Sequence, residues 1–145
     1  MADNMPDILL VDDDRYSVEF IVEALKKHNL NYRLKVFRDG GEVLAYLLPA
    51  EENHRRDSHE LPKVIILDLK LPKVNGFDVL RRIRSSEETN MIPVVVFTSS
   101  TDDSERVESY RLGANSYIVK PLEYERFVST AAEIGLYWTS QNMPP

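Results

Sequence analysis

The chain has 145 residues, of which 43% are hydrophobic and 29% charged, values that fit one globular domain and exclude a disordered chain. Its 18 basic and 24 acidic residues give a net charge of −6, which opposes nucleic-acid binding. The absence of cysteine excludes disulfides and thiolate metal sites. No apolar run approaches the roughly 20 residues that span a bilayer, so we expect a cytoplasmic protein without membrane contact.

Apolar runs of strand length alternate along the chain with segments of helical periodicity. The strands are predicted at 8–11, 32–37, 64–67, 94–98 and 116–119. The amphipathic helices are predicted around 18–25, 43–48, 77–84, 107–112 and 127–138. Five repeats of strand and helix predict a parallel sheet with helices on both faces.

The chain is expected to be a single domain, 1–145, with its core at about 7–138. A polar insertion at 49–62 separates the second helix from the third strand, and 139–145 form a short tail. The third helix carries the basic run "RRIR" at 81–84, which we interpret as a solvated face. The adjacent Tyr137 and Trp138 cannot share one helix face, so at least one is expected to point outward.

Polar side chains follow four of the five predicted strands. They are Asp12, Asp13 and Asp14 after the first strand, Asp68 after the third, Thr98, Ser99 and Ser100 at the fourth, and Lys120 and Pro121 after the fifth. The carboxyl ends of parallel strands share one edge of the sheet, so these groups are expected to converge. An aspartate after a strand often only caps the next helix. Four strands that each deliver a polar group to one edge favour a reactive site.

Clustered carboxylates repel one another unless a cation lies among them, and Mg²⁺ prefers oxygen ligands. A carboxylate can also act as a nucleophile and form an aspartyl phosphate. Phosphoryl transfer requires neutralisation of charge on the transferred oxygens, which suits Lys120 and the Thr98 hydroxyl. Nothing in the sequence resembles a glycine-rich phosphate loop. The phosphoryl group is therefore expected to come from a partner and not from bound ATP.

The motifs "LLVDDD", "ILDLKLPKVNGFDVLRRIR", "PVVVFTSS" and "GANSYIVKPL" occur in the order and spacing of a known family. Over about residues 7–138 the chain resembles the receiver domain of two-component response regulators. The resemblance implies a flavodoxin-like, doubly wound (βα)5 fold with strand order 2-1-3-4-5. It also implies a phosphoacceptor that is no turnover enzyme on a separate substrate.

The same resemblance assigns roles at the site. It implies Asp68 as phosphoacceptor and metal ligand, and Asp13 as a direct Mg²⁺ ligand, with Mn²⁺ able to substitute. Asp12 would assist, usually through water, and the backbone carbonyl of Lys70 would be the third protein ligand. Lys120 would grip the phosphoryl group.

Two further implications concern the switch. Thr98 would be the switch hydroxyl and Tyr117 the aromatic side chain that turns inward after phosphorylation, remodelling the face of the fourth helix, fifth strand and fifth helix. The Lys120–Pro121 peptide bond would be cis, as is usual in the family.

The implied partner is a sensor histidine kinase. The insertion and the tail "EIGLYWTSQ" resemble the stand-alone receivers paired with bacterial phytochromes. We expect no effector domain beyond residue 138, so output is expected through homodimerisation, binding of an effector or relay to a second phosphotransfer protein.

Lys70 and Ser100 lie two residues beyond the predicted phosphoacceptor and switch threonine, where side chains can tune hydrolysis. A lysine at position 70 could pair with the phosphoryl group and obstruct the attacking water. The sequence therefore predicts slow autodephosphorylation.

Three alternatives stay open. A haloacid-dehalogenase-type phosphatase would need a second acid two residues after the nucleophile, where this chain has Lys70. A flavodoxin-like cofactor binder would need a phosphate loop after the first strand, where three acids would repel phosphate. A phosphorylation-independent, receiver-like binding module would not need the complete set of signature residues.

Overall fold

The computed structural model describes residues 5–28, 32–48 and 61–145, so most of the predicted insertion at 49–62 lies outside the described residues. Its sheet contains β1 (Ile8–Val11), β2 (Leu34–Phe37), β3 (Val64–Leu67), β4 (Val94–Thr98) and β5 (Ser116–Val119). All neighbouring strands are parallel, in the order β2-β1-β3-β4-β5. The predicted fold class and strand order are confirmed.

Helices follow each strand: α1 (Arg15–Lys27), α2 (Gly40–Leu47), α3 (Gly76–Ser85), α4 (Asp103–Arg111) and α5 (Tyr124–Leu136). Four of them begin after a side chain that accepts a hydrogen bond from a free N–H of the first turn. These caps are Asp14 for α1, Asp39 for α2, Asn75 for α3 and Asp102 for α4. A π-helical turn, Tyr137–Gln141, continues from α5.

The central strands are buried on both faces, which explains their continuous apolar sequences. Since side chains alternate across a strand, Leu9 and Val11 of β1 enter one core cluster with α2 and α3. Ile8 and Leu10 enter the opposite cluster, with α1 and α5. The sheet thus holds its strand ends between two packed layers, and the polar residues after those ends are displayed along one edge.

The α4–β5 side is the least buried part of the described fold. Within α4 only Ser109 is buried, and the β5 residues are half-buried or exposed. The expectation for the C-terminal aromatics is confirmed, because Tyr137 is exposed while Trp138 packs against the core beside α5. Among the residues that the structure describes, no helix is both long and apolar enough to cross a bilayer.

Candidate functional site

The strand register sets the positions of the site residues. β1 and β3 pair so that Val11 lies opposite Leu67, and Asp12 and Asp68 directly follow these two residues. The Asp68 N–H donates to the Val11 carbonyl at 2.9 Å, which continues the pairing one step beyond the strand. On the other side, the Lys120 N–H donates to the Thr98 carbonyl at 2.7 Å. These bonds join the ends of β1 and β3 and the ends of β4 and β5, and the pairing of β3 with β4 brings the two pairs together.

Three carboxylates cluster at this edge. Asp12, Asp13 and Asp68 each offer an oxygen, and these oxygens all lie within 4.8 Å of one another. Asp12 and Asp68 are buried, whereas Asp13 is exposed. Asp14 instead caps α1, accepting the Tyr16 N–H at 3.0 Å, so the cap and the cluster use different residues of the "DDD" run.

Lys120 is the cation of the cluster. Its Nζ, on a side chain only 7% exposed, donates to Asp12 Oδ2 at 2.8 Å and to Asp68 Oδ2 at 3.0 Å. Burial raises the pKa of the Asp12 carboxyl to about 6, although the Lys120 charge acts to lower it. Burial acts to lower the pKa of Lys120, but the two carboxylates outweigh it and the pKa is raised. Lys120 is therefore held as a charged ammonium between two carboxylates.

The donor set fits a divalent cation. The cluster has three carboxylates, and its ammonium, Lys120, contacts only Asp12 and Asp68. Among the described residues of the cluster, negative charge therefore exceeds positive charge. The exposed Asp13 leaves the cluster open to solvent on one side. Oxygen-only ligands of this kind suit Mg²⁺ or Mn²⁺ better than softer metals. Asp12, Asp13 and Asp68 would hold the ion.

The loop after β3 packs tightly around Asp68. A Cβ added at Gly76 would lie 2.5 Å from the Asp68 carbonyl oxygen and 2.6 Å from the Leu69 Cα, so only glycine allows α3 to begin this close. The Leu69 N–H donates to Asp68 Oδ1 at 2.7 Å, leaving Oδ2 to Lys120. Both oxygens of Asp68 are thereby oriented.

Lys70 follows Asp68 by two residues in the loop after β3. Its side chain is exposed and makes no ion pair among the described residues. The neighbouring Lys73 adopts a left-handed backbone (φ 67°) and places its Nζ 3.7 Å from Asp39 Oδ2, at the cap of α2. Of the two lysines in this loop, Lys73 forms an ion pair and Lys70 forms none among the described residues.

At the end of β4, Thr98 is buried and its Oγ1 accepts the Ser100 N–H at 3.3 Å. The hydroxyl of Tyr117, on β5, donates to the Ser100 carbonyl at 3.0 Å. The half-buried Tyr117 thus contacts the β4–α4 loop. The Ser100 hydroxyl donates to Glu105 of α4.

The expectation of a cis peptide bond before Pro121 is wrong. All described peptide bonds are trans, including Lys120–Pro121, which the resemblance implied to be cis. The cis and trans forms of an X–Pro bond differ by only about 0.5–1 kcal/mol, so either can occur at this turn.

Sequence reasoning also missed contributors to the site. Glu105 carries no motif that marks its contact with Ser100, since five residues and a helix start separate them. The exposed Leu122 and Tyr16, 103% and 65% accessible, flank the strand ends at the start of the β5–α5 loop and of α1.

Comparison with known proteins shows which family has this fold and this cluster of strand-end residues. The family model of the response regulator receiver domain matches residues 8–132. The probable methanogenesis regulatory protein FilR2 of Methanothrix harundinacea is 39% identical over 95% of this chain and 86% of its own length.

Two solved structures show the same likeness. The phosphorylated cyanobacterial phytochrome response regulator RcpA is 33% identical, with a TM-score of 0.86 over 97% of this chain and 99% of that chain. The Mn²⁺-bound response regulator Rcp1 of Synechocystis is 31% identical, with a TM-score of 0.83 over 95% of this chain and 97% of that chain. The chain therefore belongs to the response regulator receiver domain family and is related to phytochrome response regulators.

Proposed function

We propose that this chain accepts a phosphoryl group on Asp68 from the phosphohistidine of a sensor histidine kinase and that the modified domain switches its binding surface. The observation that carries the proposal is the position of Lys120. Its Nζ contacts Asp68 Oδ2 at 3.0 Å inside a cluster of three carboxylates, an arrangement that a helix cap does not require. The carboxylate is thereby both buried and oriented, as a nucleophile must be.

The transfer conserves atoms and charge in a single displacement. One carboxylate oxygen of Asp68 forms a bond to the phosphorus while the phosphorus–nitrogen bond to the donor histidine breaks, and the electron pair of that bond stays on the histidine nitrogen. In this proposal Lys120 and the Thr98 hydroxyl donate hydrogen bonds to the transferred oxygens. A divalent cation held by Asp12, Asp13 and Asp68 supplies positive charge that offsets the repulsion between the carboxylates and the phosphoryl group.

The output is proposed to pass through Thr98 and Tyr117. Movement of Thr98 toward the new phosphoryl oxygens would change the Ser100 loop to which the Tyr117 hydroxyl is bonded. The face formed by α4, β5 and α5 exposes Val107, Tyr110 and Val119, which favours binding of a second copy or an effector there. The phosphoryl group only needs to stabilise one arrangement over the other.

The likeness to phytochrome response regulators supports a phytochrome-type kinase as the donor and a cytoplasmic site of action. The Mn²⁺-bound relative supports a divalent cation at the carboxylate cluster, with Mg²⁺ as the proposed ion in the cell.

Intact-protein mass spectrometry after incubation with acetyl phosphate and Mg²⁺ tests the proposal. Wild type should gain one phosphoryl mass and Asp68→Ala none, whereas Asp14→Ala, which alters only the α1 cap, should gain it. An unmodified wild type, with acetyl phosphate and with a panel of kinases, would instead support a phosphorylation-independent binding module.

A further inference from the structure

Helix α4 is weakly anchored by apolar contacts. Only Ser109 of the helix is buried, and its apolar residues Val107 and Tyr110 are 48% and 49% exposed. A groove of about 630 Å³ lies along α4 beside Phe77 of α3. Since burial of apolar surface is the main source of packing energy, polar contacts must contribute more to holding α4 than to holding the other helices.

The main polar contact of α4 to the strand ends passes through one residue, Ser100. Its hydroxyl donates to Glu105 Oε1 in the first turn of α4 and also accepts the Asp102 N–H at 3.2 Å. Its carbonyl accepts the Tyr117 hydroxyl at 3.0 Å, and its N–H donates to Thr98 Oγ1 at 3.3 Å. Ser100 therefore joins the switch hydroxyl, the switch aromatic and α4.

We propose that Glu105 is a positioning residue for Thr98: it holds Ser100 and thereby couples the placement of α4 to the phosphoacceptor site. This inference rests on the proposed phosphorylation of Asp68. The Ser100 N–H occupies one lone pair of Thr98 Oγ1, so the hydroxyl proton of Thr98 remains available for the transferred phosphoryl oxygens. Fixing Ser100 fixes that orientation before the donor arrives.

The coupling works in both directions. A partner that draws α4 away would weaken the Glu105–Ser100 contact and leave Thr98 less well oriented. A phosphoryl group bonded to the Thr98 hydroxyl would in turn favour the orientation that the Glu105–Ser100 contact holds, and so oppose that displacement of α4. Whatever binds α4 and the phosphoryl group must then affect each other by equal factors.

The test compares the rate of phosphorylation by acetyl phosphate in wild type and five variants. Glu105→Ala removes the acceptor of the Ser100 hydroxyl and should slow the reaction about fivefold, the size expected when loss of one hydrogen bond is partly transmitted to a neighbouring site. Glu105→Gln keeps an acceptor oxygen and should restore the rate. Glu108→Ala, the matched control, removes an acid from the same helix that pairs with Arg111 instead.

The double variant Ser100→Ala with Glu105→Ala should be no slower than Ser100→Ala alone, because Ser100→Ala already removes the Glu105–Ser100 contact together with the bond from the Asp102 N–H. Mg²⁺ affinity, measured by titration, should be equal in wild type and Glu105→Ala, which a general loss of structure would not allow. The inference is contradicted if Glu105→Ala and Glu108→Ala are phosphorylated at the same rate, or if the effects of Ser100→Ala and Glu105→Ala add in the double variant. Either result would leave the proposed phosphorylation of Asp68 intact. A wild type that takes up no phosphoryl group overturns the proposed function together with the inference.

Discussion

Lys70 is the residue whose side chain is expected to set the lifetime of the phosphorylated state. Its ammonium is exposed, carries no ion pair among the described residues, and follows Asp68 by two positions. An ammonium at that place can pair with the phosphoryl oxygens and hinder the approach of water, whereas an amide cannot neutralise them.

We therefore expect Lys70→Asn to shorten the half-life of the acylphosphate about threefold or more, as measured by loss of the phosphoryl mass after removal of the donor. Lys73→Asn is the matched control, because Lys73 lies in the same loop but contacts Asp39. A Lys70→Asn protein that hydrolyses no faster than wild type contradicts the tuning role.

At the same scale, the sequence was sufficient to assign five residues to the site, because they lie at or just after the end of an apolar strand. These residues are Asp12, Asp13, Asp68, Thr98 and Lys120. The parallel register then brings them together. The contacts of Arg84 could not be predicted. Although "RRIR" has the pattern of a solvated face, the half-buried Arg84 donates to the Gly113 and Ile92 carbonyls at 2.9 and 2.7 Å. Backbone carbonyls of distant turns leave no pattern in a sequence.

At the scale of elements, the strand ends of β1 and β5 continue into exposed apolar residues that flank the carboxylates. Leu122 follows Lys120 and Pro121, and Tyr16 lies in the first turn of α1 with its ring 6.5 Å from that of Phe20. Phe20 in turn packs edge-to-face on Tyr124 at 5.0 Å. A protein donor that brings a phosphohistidine to Asp68 would contact this rim, whereas a small donor would not.

We expect Leu122→Ala to slow phosphotransfer from a histidine kinase about tenfold, because exposed apolar anchors at an interface contribute strongly to binding. Its rate with acetyl phosphate should stay at the wild-type value. Leu136→Ala removes another exposed leucine, 40% accessible, at the C-terminal end of α5 and should leave both rates unchanged. Equal slowing with both donors would place Leu122 in the chemistry and not in docking.

Element boundaries were well predicted where burial is complete. The predicted limits of β1, β3 and β4 coincide with the observed strands, because both faces of each are apolar. The limits of β5 coincide as well, although its residues are half-buried or exposed. The second strand begins two residues later than its apolar alternation suggests, at Leu34. The α4 segment was the hardest to interpret, since its sequence has almost no apolar face and its position depends on polar contacts such as Glu105–Ser100.

At the scale of the whole molecule, the carboxylate cluster should make stability depend on divalent cations. The three carboxylates come from two segments that only the folded chain brings together, so a cation binds the folded state and not the unfolded one. Calorimetry should show Mg²⁺ raising the melting temperature, with a gain in free energy of unfolding of about 2.7 kcal/mol at a hundredfold excess over Kd.

Asp13→Asn should weaken this effect because it removes one ligand charge. Asp14→Asn should not, since an asparagine can cap α1 as the aspartate does. A melting temperature that Mg²⁺ leaves unchanged, or equal losses in the two variants, contradicts a cation site at Asp12, Asp13 and Asp68.

The most direct test of the central claim is to locate the phosphoryl group itself. After phosphorylation by acetyl phosphate or a histidine kinase, borohydride reduction converts an aspartyl phosphate to homoserine, and peptide mass spectrometry identifies the changed position. The account predicts the change at residue 68 in wild type and its absence when Lys120 is replaced by alanine or phosphorylation is omitted. Modification at Asp12 or Asp13, or none at residue 68 in a protein that has gained a phosphoryl mass, would contradict it.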